Sequence, residues 1–526
     1  MNVAFAAASR QPAAIFPQAE SAALCRDAAT PGFMEKEGVS GGFHWTLALS
    51  WGAIATASFH VAMVLPALSG LMVPFLFSLL QLTGLRTARH AFRCGAVIGL
   101  AVYAPHLAFF WTIFNWAAVA LWGVLALWLG LFVVLARAVR LRWGAIPAAL
   151  LIPFLWTGLE YFRSELYYLR FSWLSVGFAF ADLPQLFRLT TLGCYGVGFL
   201  LAAVAAGATV LSRQGAVALL TGTTLALGVA HLGSAGDADP RGGAVKVAGV
   251  QLEFPAALEV PVALDTARRA HPDAEIFVLS EYTFLEPVPE RVKAWCRANR
   301  RYLIAGGKDP APGDNFFNTA FVIGPEGEVV FHQVKSVPIQ FFKDGLPAPA
   351  REVWNSPWGK IGLCVCYDLS YRRVVDDLIR QGAQALIVPT MDMADWGEAQ
   401  HRLHGRVAPI RAAEYGVPIF RVCSSGISQL VEASGRSRAS APFPGQGAVI
   451  GGTLNLGEAG RLPLDHCLGP VASALTAGVI VILLVLALRR QSPGGSVQPH
   501  SQTPAGGGAT RDAGFHNLQQ VSCPAT

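Results

Sequence analysis

Three side chains of different chemistry fall at the ends of β-type runs between residues 245 and 460: Glu281 closes "EIFVLSE", Lys335 closes "VVFHQVK" and Cys366 closes "KIGLCVC". Strand ends are where α/β folds collect reactive groups. A carboxylate, an amine and a thiol suffice for acyl transfer: the carboxylate takes the thiol proton, the thiolate attacks a carbonyl to give a thioester, and the ammonium stabilises the oxyanion. Cys364, flanked by Leu363 and Val365, reads instead as a small core residue. Cys366 differs because Tyr367 and Asp368 follow it as the chain turns toward a helical pattern.

Other residues are candidates around these three. Tyr367 follows the thiol and is placed to offer its backbone N–H or its hydroxyl to an oxyanion, or to be an ordinary packed aromatic. Trp396 and His401 belong to a glycine-containing stretch that reads as a lid or as an exposed loop. Arg411 and Glu414, one turn apart, read as an ion pair within a helix. Zinc competes for part of the set, since Cys364 and Cys366 with His401 and His404 are ligands of suitable type. Two cysteines adjacent on one face of a strand do not match the usual spacing of zinc-binding pairs, so the thiol is read as a nucleophile and no metal or other cofactor is expected.

The elements that position these residues alternate. The runs "VKVAGVQL", "EIFVLSE", "RYLIAGG", "TAFVIGPEGEVVFHQV", "KIGLCVC", "ALIVPT" and "PIFRVCSSG" are separated by helical patterns such as "PVALDTARRAH", "PERVKAWCRAN", "YRRVVDDLIRQG" and "RVAPIRAAEYG". Pro325-Glu326-Gly327 predicts a hairpin turn. Continuous apolar strands with intervening helices predict a layered α/β domain over 245–460.

The rest of the chain is too apolar for a water-soluble protein: 53% of 526 residues are hydrophobic and 14% charged, with a mean hydropathy of +0.43. Apolar stretches near 45–66, 67–84, 94–113, 116–136, 144–161, 188–212 and 215–233, and a last one at 468–488, predict eight transmembrane helices. The expected order is a disordered cytoplasmic tail (1–42), a membrane domain (43–233), the α/β domain, a final anchor and a disordered tail (489–526). Arginines at 86, 89, 93, 137, 140, 142, 213, 489 and 490 then all lie inside, which puts 234–467 on the outer face. A net charge of +6 without any Lys/Arg run is explained by this topology and excludes nucleic acid as the expected partner. Nine cysteines show no framework spacing. Glu160, Arg163, Glu165 and Arg170 sit among aromatics in "LEYFRSELYYLRFSWLSVGF", an interfacial belt that could also hold a lipid headgroup.

The order Glu281, Lys335, Cys366, with "GKIGLCVCYDLSYRRV" carrying the thiol, resembles the carbon–nitrogen hydrolase (nitrilase) superfamily, whose fold is an αββα sandwich. With "WTGLEYFRSELYYLRFSWLSVGFAFADLPQLFRLTTLGCYGVGFLL" and "WGEAQHRLHGRVAPIRAAEYGVPIFRVCSSGISQLVEASG", residues 45–488 are similar to the bacterial apolipoprotein N-acyltransferases. That resemblance implies a nitrilase-like sandwich inserted between transmembrane helices of an inner-membrane protein, with a phospholipid acyl donor and a lipoprotein or other amine acceptor, acting through Glu281, Lys335 and Cys366. A membrane-tethered amidase on a periplasmic amide is the alternative. The family has a glutamate eight residues after its lysine; here Lys343 holds that spacing with Asp344 beside it, so either Asp344 takes the role or the site lacks this carboxylate. "CSSGIS" and "QLEF" replace the family's Thr-Asn-x-Gly and Gln-Gly-Asn patterns, and Tyr367-Asp368 its Tyr-Glu.

Overall fold

The computed structural model describes residues 45–231 and 243–491; the tails expected to be disordered lie outside these residues, except that the final helix runs on to Gln491. Among the described residues ahead of the first strand, the regular elements are all helical. Among the described residues, five stretches are long and apolar enough to cross a membrane: Thr46–Val64, Pro66–Gly84, Ala117–Trp143, Ala145–Leu166 and Asp465–Arg489. The other three expected spans are built less simply. The one sought at 94–113 starts earlier, as Ala88–His106, and breaks at Pro105 before a short helix Phe109–Phe114. The one at 188–212 is split by a left-handed Thr191 (φ 52°) into Gln185–Thr190 and Gly193–Ala208. The last is Arg213–Ala230.

Small residues let these helices approach closely, which matters where lipid removes the hydrophobic drive for association. A Cβ on Gly99 would stand 2.7 Å from Ala126 Cα, and one on Gly95 would stand 2.9 Å from Gly130 Cα. At the other end of the same helix pair, Arg137 and Arg140 donate to Thr83 and Arg86 at the close of the preceding helical stretch. Basic groups there meet carbonyls that the helix end leaves without partners.

Between Gly243 and Leu456 lie two six-stranded sheets. The strands are β1 (Gly243–Val250), β2 (Ile276–Val278), β3 (Tyr302–Pro310), β4 (Phe316–Ile323), β5 (Val329–Val334), β6 (Val353–Ser356), β7 (Gly359–Leu363), β8 (Ala385–Thr390), β9 (Ile419–Cys423), β10 (Gln429–Val431), β11 (Ser437–Ser440) and β12 (Val449–Leu456). One sheet runs β12-β1-β2-β3-β4-β5 and the other β11-β10-β9-β8-β7-β6. The central strands β1–β2–β3 and β7–β8–β9 pair in parallel, and the flanking pairs such as β3–β4, β4–β5, β9–β10 and β6–β7 are antiparallel. Every residue of β8 and β9 is buried, as strands covered on both faces must be. Helices Glu259–Ala270 and Glu290–Asn299 pack on the first sheet through Val260, Leu264, Val292 and Trp295, while Val407–Tyr415 covers the second, giving an αββα sandwich. The turn at 325–327 joins β4 to β5, with Gly327 at φ +81°.

Buried polar contacts fasten the sandwich to the helices that precede it. Trp173 Nε1 donates to Ser370 Oγ (2.9 Å), and the Tyr367 hydroxyl donates to the Arg170 carbonyl (3.3 Å). Arg411 is more than half of a helix ion pair: beyond Glu414 (2.7 Å) it donates to the carbonyls of Leu369 (3.1 Å) and Ser370 (2.7 Å), while Glu414 accepts from the backbone N–H of Cys194. Both charges are fully buried. Glu414→Gln therefore leaves an uncompensated guanidinium in the interior and is expected to cost about 3 kcal/mol, read as a lower midpoint of thermal unfolding in detergent. Arg411→Met with Glu414→Leu, which removes both charges, is expected to recover much of that loss.

Candidate active site

The three strand-end residues converge. Glu281 follows β2 by three residues, Lys335 follows β5 directly, and Cys366 opens a 3-10 turn just past β7. Lys335 Nζ lies 2.8 Å from Glu281 Oε1, and both side chains are buried. Glu281 is held from two more sides: Asn318 Nδ2 donates to Oε1 (2.6 Å) and the Met391 backbone N–H donates to Oε2 (2.8 Å). Gly306 of β3 runs so close beneath that a Cβ there would stand 2.5 Å from Glu281 Cα.

Asp344 decides the question left open by the spacing. Its Oδ2 lies 2.8 Å from Lys335 Nζ, and it also accepts from Tyr282 Oη (2.6 Å), Asn318 Nδ2 (3.0 Å) and the Ile339 N–H (2.7 Å). Lys343, at the glutamate spacing, is exposed. The ammonium thus sits between two carboxylates. Burial opposes its charge, but Asp344 and Glu281 outweigh burial and raise it well above its ordinary value. Burial likewise works against the Asp344 charge, and Lys335 with its hydrogen-bond donors keeps the carboxyl below the ordinary range.

Burial, and after it the facing Glu281 carboxylate, push the Cys366 thiol well above its ordinary value, while Lys335 pulls the other way. The resting residue is therefore a thiol, and its thiolate forms only as the proton leaves. Cys366 takes a left-handed conformation (φ 53°) and its Sγ is 3.6 Å from the Met391 carbonyl. Such a backbone is costly for a side chain with a Cβ and persists where its surroundings impose it. Cys366 is 2% exposed, so at this strand exit the residue is covered rather than open to solvent. Cys364 is fully buried in the core, as its neighbours predicted.

Asp368 joins the nucleophile turn to the lysine loop by accepting from the backbone N–H groups of Ser336 (3.0 Å), Val337 (2.7 Å) and Val365 (3.2 Å). Burial raises its carboxyl to about 6, against Lys335 and the three N–H donors, which lower it.

Beside this constellation lies a cavity of about 110 Å³ with an open mouth. Phe109, Phe110, Phe114, Leu121 and Leu125 wall it from the helices; Phe171 and Trp173 from the following loop; Ile339 to Phe342 from the lysine loop; and Tyr367, Trp396 and His404 from the sandwich. Cys366 is not itself in the lining, but its neighbour Tyr367 is. Trp396 stands in the wall against Phe342 (6.3 Å between rings). His401 does not belong to a lid: it lies inside helix Glu398–Gly405, fully buried and stacked on Phe443 at 4.0 Å. Nor do the histidines turn to the cysteines. His404 Nδ1 is 2.8 Å from Asp392 Oδ1, and Arg421 is 2.5 Å from Asp392 Oδ2. Among the described residues no group of three metal-ligating side chains could hold an ion. Of the charged residues in the belt, Glu160, Arg163 and Glu165 are buried and turned inward, so only Arg170 reaches the cavity.

Sequence reasoning passed over Asn318, Tyr282 and Asp392. Asn318 carried a signal, being the one amide inside the otherwise apolar or hydroxyl-bearing run of β4. Tyr282 and Asp392 lie in loops whose partners are distant in the chain, and nothing local marks them.

Residues 39–207 match the family described as apolipoprotein N-acyltransferase N-terminal domain, and residues 264–452 match carbon-nitrogen hydrolase. The chain is 28% identical over 484 residues to an apolipoprotein N-acyltransferase of Geobacter metallireducens, covering 79% of this chain and 90% of that protein. It is 28% identical over 386 residues to the one of Shewanella oneidensis, covering 62% and 73%. A deaminated glutathione amidase of Dictyostelium discoideum is 27% identical over 172 residues, covering 28% and 58%. The amidase likeness covers little more than a quarter of the chain, whereas the acyltransferase likeness, at 79%, is too long for the sandwich alone and takes in helices as well. The chain is thus similar over most of its length to the apolipoprotein N-acyltransferases, with their N-terminal domain matched at 39–207 and a carbon–nitrogen hydrolase domain matched at 264–452.

Proposed function

We propose that the protein is an integral-membrane N-acyltransferase that carries an acyl chain from a phospholipid, through a thioester on Cys366, to the N-terminal amine of a lipoprotein. The observation that carries this reading is the meeting of Glu281, Lys335 and Cys366 beside an apolar cavity whose far wall is made of helices from the membrane portion. A soluble amidase has no use for such a wall; a long acyl chain does.

In the first half-reaction Glu281 takes the Cys366 proton and the sulfur attacks the ester carbonyl of the donor. The oxyanion is stabilised by Lys335 and the backbone N–H of Tyr367, whose hydroxyl is already committed to Arg170. As the C–O bond breaks, Glu281 returns its proton to the departing glycerol oxygen, leaving lysophospholipid and thioester. In the second, the acceptor amine attacks the thioester carbonyl, Glu281 takes a proton from nitrogen, and the C–S bond breaks with the proton passing to sulfur. Asp344 keeps Lys335 charged and in place in both halves. The covered sulfur favours aminolysis over loss of the acyl group to water.

Eight spans complete the reading: Trp45–Val64, 66–84, Ala88–His106, Ala117–Trp143, Ala145–Tyr161, Gly193–Ala208, Arg213–Ala230 and Asp465–Gln491. An even number keeps both tails and the arginines at 86, 89, 93, 137, 140, 142 and 213 on the cytoplasmic side. The sandwich then lies on the outer face of the inner membrane, where both lipid substrates present their polar ends.

The test is direct. Purified protein given acyl-labelled phospholipid and a diacylglyceryl lipopeptide is expected to place the label on the peptide's α-amine, seen as the mass of one added acyl chain. Hydrolysis of small amides by a protein that never acylates the lipopeptide would instead establish the amidase.

A further inference from the structure

Two guanidinium groups converge on Tyr371, five residues after the nucleophile. Arg170 lies 5.5 Å from the Tyr371 ring centroid and Arg373 lies 5.6 Å from it. Among the described residues neither forms an ion pair with a carboxylate. Glu165, the acid whose charge reaches Arg373, spends one oxygen on the Tyr195 hydroxyl (3.0 Å) and the Arg372 N–H (3.3 Å). The Arg170 Nε is buried and has no hydrogen-bond partner. Burial, and after it the charge of Arg170, pull Arg373 below its ordinary value. Arg373 is exposed and water screens its charge, but the buried Arg170 Nε lacks an acceptor, and an anion reached by both groups would supply one.

The position of the pair says which anion. Among the described residues Arg170 is the one guanidinium lining the cavity, set between the apolar Leu169 and Phe171 of its wall. Close by, Leu166 and Tyr168 are exposed, marking a surface that an amphiphile can reach. A ligand that fits therefore has an apolar body and a single anionic group that guanidinium forks can grip, and a phosphodiester is such a group.

We propose that Arg170 and Arg373 form the phosphate site for the headgroup of the acyl-donor lipid, anchoring the phosphodiester so that the acyl ester beyond it is presented to Cys366. This rests on the reading above that the donor is a phospholipid, and it adds a reason for donor choice. The pair attracts a lipid carrying phosphate and offers nothing to an acceptor carrying an ammonium group.

Binding separates this proposal from catalysis. Full-length Cys366→Ser protein in detergent is titrated with an ether-linked phosphatidylglycerol and with the matching dialkylglycerol, which has the same chains and no phosphate. Arg170→Gln with Arg373→Gln is expected to weaken the phospholipid about 30-fold while the neutral lipid moves less than about threefold. Arg170→Lys with Arg373→Lys, which keeps the charge and loses the planar fork, is expected to recover only part of the lost affinity and again for the phospholipid alone. An equal loss for both lipids means a structural role and overturns the proposal, as does an unchanged preference for the phospholipid. Inorganic phosphate binding as tightly as the ether phospholipid would make this a site for the free ion and overturn the headgroup assignment. If the protein transfers no acyl chain at all, the enzymatic reading fails, and the binding titration still decides this one.

Discussion

Incubated with acyl-labelled phospholipid and no acceptor, the wild-type protein is expected to accumulate a label that neutral hydroxylamine removes; Cys366→Ser is expected to lose it, and Cys364→Ser to keep it. Both cysteines are buried and only two residues apart, so burial does not distinguish them. What does is company. Cys366 faces the Glu281 carboxylate, whose oxygens are oriented by Lys335, Asn318 and the Met391 N–H, whereas Cys364 points into the core of the sheet. A serine hydroxyl is far more reluctant than a thiol to yield its proton to a carboxylate, so Cys366→Ser is expected to slow acylation by at least about 10³-fold. Any slow oxygen ester formed there would resist the hydroxylamine treatment. A labile label that persists in Cys366→Ser and disappears in Cys364→Ser would reverse the assignment and with it the mechanism.

The second large effect belongs to Asp344. Replacing it with asparagine leaves Lys335 shared between one carboxylate and an amide, in a place where all of these groups are buried. The ammonium is then less firmly held where the oxyanion forms. Turnover is expected to drop about 100-fold with little change in KM, as for loss of an oxyanion-stabilising group, and stability to drop by about 3 kcal/mol. The pH dependence has a definite sign. A carboxyl whose folded value lies below its unfolded one contributes stability that is fully present above the ordinary carboxyl range, near pH 4, and is lost as the pH falls through the folded value. Unfolding midpoints of wild type and Asp344→Asn are thus expected to draw together on acidification. Adding Lys343→Glu to Asp344→Asn is expected to restore nothing, because residue 343 points to solvent although it holds the spacing of the family's glutamate. Rescue by that double variant would show that spacing, not the observed contact, decides which carboxylate serves Lys335.

Much of this protein could be read from its residues alone. Strand runs, the helices between them and the hairpin at 325–327 were legible because side-chain periodicity and turn chemistry are local properties. The candidate triad was legible for a related reason: Glu281, Lys335 and Cys366 each end a recognisable strand, and parallel strands bring their ends to one edge. Boundaries of the helical stretches were less so. Breaks at Pro105 and Thr191 come from backbone conformation, which an average over apolar residues does not register.

What only the tertiary structure decided are the contacts between distant segments. Asp344 rather than residue 343 meets Lys335 because the intervening loop folds back so that Ile339 N–H, Tyr282 and Asn318 all reach that one carboxylate. His401, which looked like part of a lid, is stacked in the core, and Arg411, which looked like a routine helix pair, holds the turn after Cys366 while its partner Glu414 takes the N–H of Cys194. The covered state of Cys366 and the convergence of Arg170 with Arg373 are of the same kind. Residue type and local spacing determine which groups are available for chemistry. Which of them meet, and which are shut away from water, depends on how far the chain travels before it returns, and a sequence read in windows does not carry that distance.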